Sequence, residues 1–198
     1  MLARDEKIET TAAADYVARA RALVPAIETA ADRIEAERRI VPDIVAALHE
    51  AGIFHMLLAP SLGGGGADIV AFNEVIQTIA AADASTAWCV GQQVASTQAA
   101  GYLDPKIARE IFSPPHGAVA WGPPAGAKAV VTDGGYKVTG RWRFASGSGH
   151  CPWIGGHSAV IERDGKPRLD DKGRPVMRTM LFRKEAAKWT DIWHTVGL

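Results

Sequence analysis

Between residues 17 and 34 apolar side chains recur every three or four positions: Val17, Ala20, Val24, Ile27, Ala31 and Ile34. That spacing lays them on one stripe of a long helix. Pro25 falls inside the run and lacks the amide that would continue the hydrogen-bond ladder, which predicts a kink or a break. A second helix is predicted over VPDIVAALHEAG, with Pro42 in its first turn, Ile44, Val45 and Leu48 on one face and Gly52 as the stop. IFHMLLAP reads as a buried connector. A third helix, about 67 to 82, is expected to turn Ile69, Phe72, Val75, Ile76 and Ile79 inward. Asp83 and Ser85 suit the cap of the next helix, STAWCVGQQVASTQAAG, and Asp104-Pro105 opens a short last one ended by Ser113-Pro114-Pro115.

From Gly117 the period changes to that of strands: GAVAW, AKAVV, GYKVTG, RWRFAS, PWIGGHSAVI, RTMLF and WTDIWHTVGL, separated by Gly, Pro and Asp clusters. Asp133-Gly134-Gly135 is a hairpin turn, because glycine supplies the positive φ such turns require. DGKPRLDDKGRP, 164 to 175, is a polar excursion between strands. The expected fold is therefore α+β with two domains: an all-α bundle over residues 1–115, then an incomplete antiparallel β-barrel over 116–198.

Composition narrows the function. Apolar residues at 47% suffice for a packed core, and 22 basic against 22 acidic residues leave no net charge. Without a basic face, nucleic acid is a poor partner. No apolar run approaches the roughly 20 residues of a membrane span, and MLARDEKIETT lacks the apolar core of a secretion signal, so a cytoplasmic protein is expected. Cys89 and Cys151 form no Cys-x-x-Cys pair, and six scattered histidines show no metal-ligand spacing, so no metal is expected. His150 and His157 flank a tryptophan strand, as pocket lining or as plain polar residues near a turn. SLGGGGAD has no lysine in the P-loop position and reads as a loop rather than a phosphate cradle. Trp88, the one large side chain of its helix, is either a core anchor or an aromatic wall over a ligand.

The densest chemistry lies in GGYKVTGRWRFASGSGHCPW. On a strand, Trp142, Phe144 and Ser146 would share one face, with free loop amides just beyond. A ring, a hydroxyl and exposed amides in a row suit a flat heteroaromatic cofactor with a polar edge. This passage, with RRIVPDIVAALHEAGIFHMLLAPSLGG and IAAADASTAW, resembles the acyl-CoA dehydrogenase superfamily from about residue 12 to 198. The last motif is most similar to the superfamily's flavin-dependent hydroxylases, where Gly-Arg-Trp-x-Phe-x-Ser-Gly replaces the dehydrogenases' Gly-x-Lys-x-Trp-Ile-Thr-Asn.

The resemblance implies a flavin, FAD or FMN, held by Phe144, Ala145, Ser146 and Gly147, with Trp121, Gly122 and Pro123 of the loop AWGPPAGAKA beside it. It implies Trp88 and Ser96 on the substrate side; Ser96 stands where several aromatic hydroxylases carry a histidine. The activity implied is that of a two-component monooxygenase: a separate reductase supplies reduced flavin, and one oxygen atom passes to a small organic substrate. Two alternatives stay open: an acyl-CoA dehydrogenase, whose Gly-Ala-Gly-Ser-Asp loop is absent here, and a fragment without catalysis. The family continues into a C-terminal helical bundle that builds a homo-oligomer, so a chain truncated before that bundle is expected, and no catalytic residue is assigned.

Overall fold

The computed structural model describes residues 6–194, with side chains from residue 15 onward. Helices α1 (Glu6–Glu37), α2 (Pro42–Glu50), α3 (Ile69–Ala82), α4 (Ala84–Ser96) and α5 (Pro105–Phe112) precede strands β1 (Val119–Gly122), β2 (Lys128–Thr132), β3 (Gly135–Thr139), β4 (Trp153–Ile161) and β5 (Met177–Arg183). The order is the α+β order expected from periodicity.

α1 runs unbroken through Pro25, contrary to expectation. The reason is placement: Pro25 and Arg21 both lie on the exposed side of the helix, so the Arg21 carbonyl that loses its amide partner faces water. Val17, Ala20, Ile27 and Ile34 are buried against α3 and the connector, where Ile53, Phe54 and Met56 join Val75, Ile79, Val90 and Val94 in one core. Ile69 departs from its predicted role and lies 61% exposed at the start of α3. Asp68 caps that helix by accepting from the Ala71 amide at 2.8 Å. At α4, Asp83 accepts both the Thr86 amide at 2.6 Å and the Ser85 hydroxyl at 2.8 Å. The tetraglycine loop is a packed corner, because a Cβ on Gly64 would overlap the Leu58 carbonyl and one on Gly65 the Tyr16 hydroxyl.

The sheet is open and mixed rather than wholly antiparallel. β4 pairs antiparallel with β5 from Trp153 to Ala159, which takes one of its edges. Its other edge accepts β1 over 153–156 and then β2 over 159–161, both parallel. β2 folds back on β3 through the Asp133-Gly134 turn, where Gly134 has φ +75°. A second apolar cluster joins the two layers: Leu58, Ala108, Ile111, Phe112 and Val119 pack with Trp153 and Leu181. His55 Nε2 donates to the Gly117 carbonyl at 2.6 Å and ties the connector to the start of the sheet.

Two predicted strands are not strands. RWRFAS leaves the sheet as an irregular segment whose backbone bridges Pro124, in the loop after β1, at Trp142. Residues 187–194 also form no strand, and 195–198 of that prediction lie outside the described residues.

Candidate functional site

The corner formed by residues 141–150 is built by two neighbours. On one side it zips to the loop after β1: the Ala125 amide donates to the Arg141 carbonyl at 2.8 Å, and the Arg143 amide to Pro123 at 3.4 Å. Gly122 is buried against it, since a Cβ there would meet Arg143 and Ala145. Trp142 points into the sheet, with its indole N–H donating to the His157 carbonyl at 2.9 Å and its ring 5.3 Å from Phe182. Phe144 has φ +54°, a conformation non-glycine residues rarely take, and its side chain is 63% exposed. Trp142 and Phe144 therefore do not share a face. The positive φ reverses the alternation and turns Phe144 outward, its ring meeting Trp193 edge-on at 5.5 Å.

On the other side the corner meets α4. Trp88 is 49% exposed, which removes the core-anchor reading, and its indole Nε1 donates to Ser146 Oγ at 3.0 Å. A hydroxyl that accepts in this way keeps its own proton to donate elsewhere. Gly147 follows with φ +76°, and a Cβ on it would overlap the Gln93 amide. Gln93 itself is 1% exposed. Its amide Nε2 and Oε1 lie 2.8 and 2.9 Å from His150 Nε2, so the pair bonds in either imidazole tautomer.

Of the other predicted residues, Pro123 is exposed beside the corner, and Trp121 is half-buried with its ring 5.2 Å from His157. Ser96 is not brought into the corner's bonding: its hydroxyl donates to the Gln92 carbonyl of its own helix at 2.7 Å. His157 bonds Thr179 at 2.6 Å within the sheet, the plain structural role. Behind the corner a cleft of about 280 Å³ is bordered by Arg39, Val45, His49, His116 and His150. Burial lowers His150 to about 4, helped by His49 and Lys184, and burial with His116 and His55 lowers His49 to about 4. Both imidazoles are therefore neutral at neutral pH. Burial pushes the Cys89 thiol up to about 11, which leaves it unreactive as a nucleophile. Among the described residues no group of three or more His, Cys, Asp or Glu could hold a metal ion.

Residues 11–103 match the family model of the acyl-CoA dehydrogenase N-terminal domain. The chain belongs to the acyl-CoA dehydrogenase superfamily. Its relatives include the flavin-dependent monooxygenase oxygenase subunit HsaA of Rhodococcus jostii (strain RHA1), 34% identical over 189 residues, 89% of this chain and 44% of that protein. A pigment production hydroxylase of Rhodococcus erythropolis is 30% identical over 171 residues, 85% of this chain and 43% of the relative. Among solved structures, XiaF from Streptomyces sp. in complex with FADH2 and glycerol superposes with a TM-score of 0.84 at 28% identity, covering 96% of this chain and 46% of that one. The chain thus spans a little under half the length of the relatives it matches. The family resemblance read from the motifs holds for the superfamily and for the helix-then-sheet fold.

Sequence reasoning missed the Gln93–His150 pair. A signal was present: Thr86, Val90, Gln93 and Val94 follow helical spacing, so Gln93 falls on the buried stripe of α4, and a buried amide needs a partner. What the sequence lacks is the partner's address, because His150 lies 57 residues away.

Proposed function

We propose that this chain binds a flavin, FAD or FMN, at the corner between Trp88 and Ser146 and belongs to the oxygenase component of a two-component monooxygenase acting on a small organic substrate. The observation that carries the reading is the Trp88–Ser146 hydrogen bond beside an outward-facing Phe144. Exposed rings set next to a hydroxyl with a free proton, on a backbone shaped by positive φ at Phe144 and Gly147, fit a flat ring with a polar edge.

When bound, the flavin supplies the redox chemistry with oxygen. The chain's own residues would position and dry it: Phe144 by ring contact, Ser146 by donating to a ring acceptor and Trp88 by fixing Ser146, with Gly122, Pro123, Ala145 and Gly147 shaping the backbone beside it. Trp121 and Ser96 complete the expected lining. A relative named as an oxygenase subunit and a structural neighbour holding FADH2 support this assignment. The reading includes a separate reductase, a homo-oligomer, domains at 1–115 and 116–198, and a cytoplasmic location in keeping with the free thiols Cys89 and Cys151.

Anaerobic titration with reduced FMN and FADH2 tests it. Saturable binding, and oxygen uptake that requires an added reductase, are expected. Reduction of bound flavin by acyl-CoA without oxygen would replace this reading by the dehydrogenase one, and absence of saturable binding would remove flavin from this chain.

A further inference from the structure

We infer that Gln93 and His150 are positioning residues: their buried hydrogen bond clasps the 146–150 loop onto α4 and so holds the Ser146 hydroxyl against Trp88. The inference rests on the flavin reading only for its consequence in binding, not for the clasp itself. Toward β5 the loop is held by Lys184 Nζ donating to the Gly149 carbonyl at 2.6 Å, and its own backbone bonds are local. The Ser146 amide reaches back to Phe144 at 2.8 Å, the Ser148 amide to Ala145 at 3.1 Å and the His150 amide to Gly147 at 3.2 Å, all within the turn. These fix its curvature but do not attach it to α4.

Attachment comes from two side chains of that helix. Trp88 bonds Ser146 at one end, and Gln93 bonds His150 at the other. Trp88 is half-exposed, so its bond competes with water and cannot hold the loop by itself. The Gln93 bond is shielded, since Gln93 is almost wholly buried. Breaking it strands a buried amide, and that penalty makes the clasp the stronger anchor. Gly147 shows how close the approach is, because any side chain there would displace the Gln93 amide. His150 also packs on Phe54 with ring centroids 5.9 Å apart, so the helical core sets the ring's position.

The test reads the Trp88 indole N–H by NMR in flavin-free protein, its resonance assigned with Trp88→Phe. Ser146→Ala marks the shift when the Trp88 bond is lost. Gln93→Leu and His150→Leu are expected to move the Trp88 resonance to that same position. His150→Gln, which places an amide nitrogen near the lost Nε2, is expected to restore it. In the same variants reduced FMN should bind about tenfold more weakly with the Leu substitutions and near normally with Gln, the effect of one hydrogen bond. If the Leu variants do not fold, Gly147→Ala gives the same reading from the loop side. An unmoved Trp88 resonance in folded clasp variants overturns the inference. A moved resonance in a protein that binds no flavin keeps the clasp and removes the flavin reading instead.

Discussion

The helical core and the sheet corner use their large side chains in opposite ways. Phe54, Phe112 and Ile79 are at most 1% exposed and touch only protein, whereas Phe144, Trp88 and Trp193 present 49–63% of their surface to solvent. Burying an aromatic side chain is strongly favourable, so a sequence that leaves three near one another unburied has them available for something else. The contrast extends to polar groups: Gln93 and His150 are paired and shielded, while Ser146 Oγ accepts one bond and keeps its proton free. Shielded and exposed groups are thus separated over one helix width, with α4 as the border.

The largest effect that could break this contrast is in the joint between layers. Phe112→Ala removes a ring from the cluster that holds α5 to Val119 and Trp153. The expected loss is about 3–5 kcal/mol in unfolding free energy. Chemical denaturation checks it, and a loss below about 1 kcal/mol would mean that the layers are not held by this cluster.

Acid sharpens the comparison next. His150 and His49 have folded values near 4 against 6.5 for the free side chain, so the unfolded chain binds more protons between those limits. Their stabilising contribution is therefore complete above about pH 6.5 and falls as pH drops toward 4. For His150 the full swing is on the order of 3 kcal/mol. Urea midpoints at about pH 7 and pH 5 should differ in this direction, and His150→Gln should flatten the slope. An unchanged slope in that variant would place the acid sensitivity elsewhere.

Much of this division was legible in the sequence. The helices were, because Val17, Ala20, Ile27 and Ile34 keep one period over five turns and Asp83 and Asp104 mark starts with a known hydrogen-bond chemistry. Pro25 misled because a pattern does not say whether the carbonyl a proline leaves unpaired faces core or water. The corner misled more. Trp142, Phe144 and Ser146 alternate in the sequence, but residues 143–146 form no strand and Phe144 takes φ +54°, so the period-two rule does not hold there. That conformation depends on the loop from β1 and on α4, contacts that no local pattern records. Of the residues named for the site, Trp88, Phe144 and Ser146 stand at one corner, reached by a different geometry from the ribbon that suggested them, while Ser96 bonds within its own helix and Trp121 packs on His157.

Phe144→Ala is the third way to break the comparison, and it should act on binding where Phe112→Ala acts on stability. Stability should stay within about 0.5 kcal/mol, as for surface positions generally. Flavin affinity should fall by about two- to tenfold, the range for one aromatic contact. Equal losses in stability and binding would make Phe144 a structural residue that only looks exposed.

The smallest expected effect tests the helical side from within. Thr86 Oγ1, at the start of α4, is buried without a hydrogen-bond partner among the described residues. A buried hydroxyl left unpaired costs free energy, and valine has nearly the same shape with a methyl in its place. If the helical layer is selected for packing alone, Thr86→Val should raise unfolding stability by about 0.5–1 kcal/mol and leave flavin binding unchanged. Thr86 lies two residues before Trp88 on the same helix, so the variant also asks how sharp the border is. A loss of flavin affinity with intact stability would move that border about half a turn toward the helix start and make the Thr86 hydroxyl part of the recognition surface.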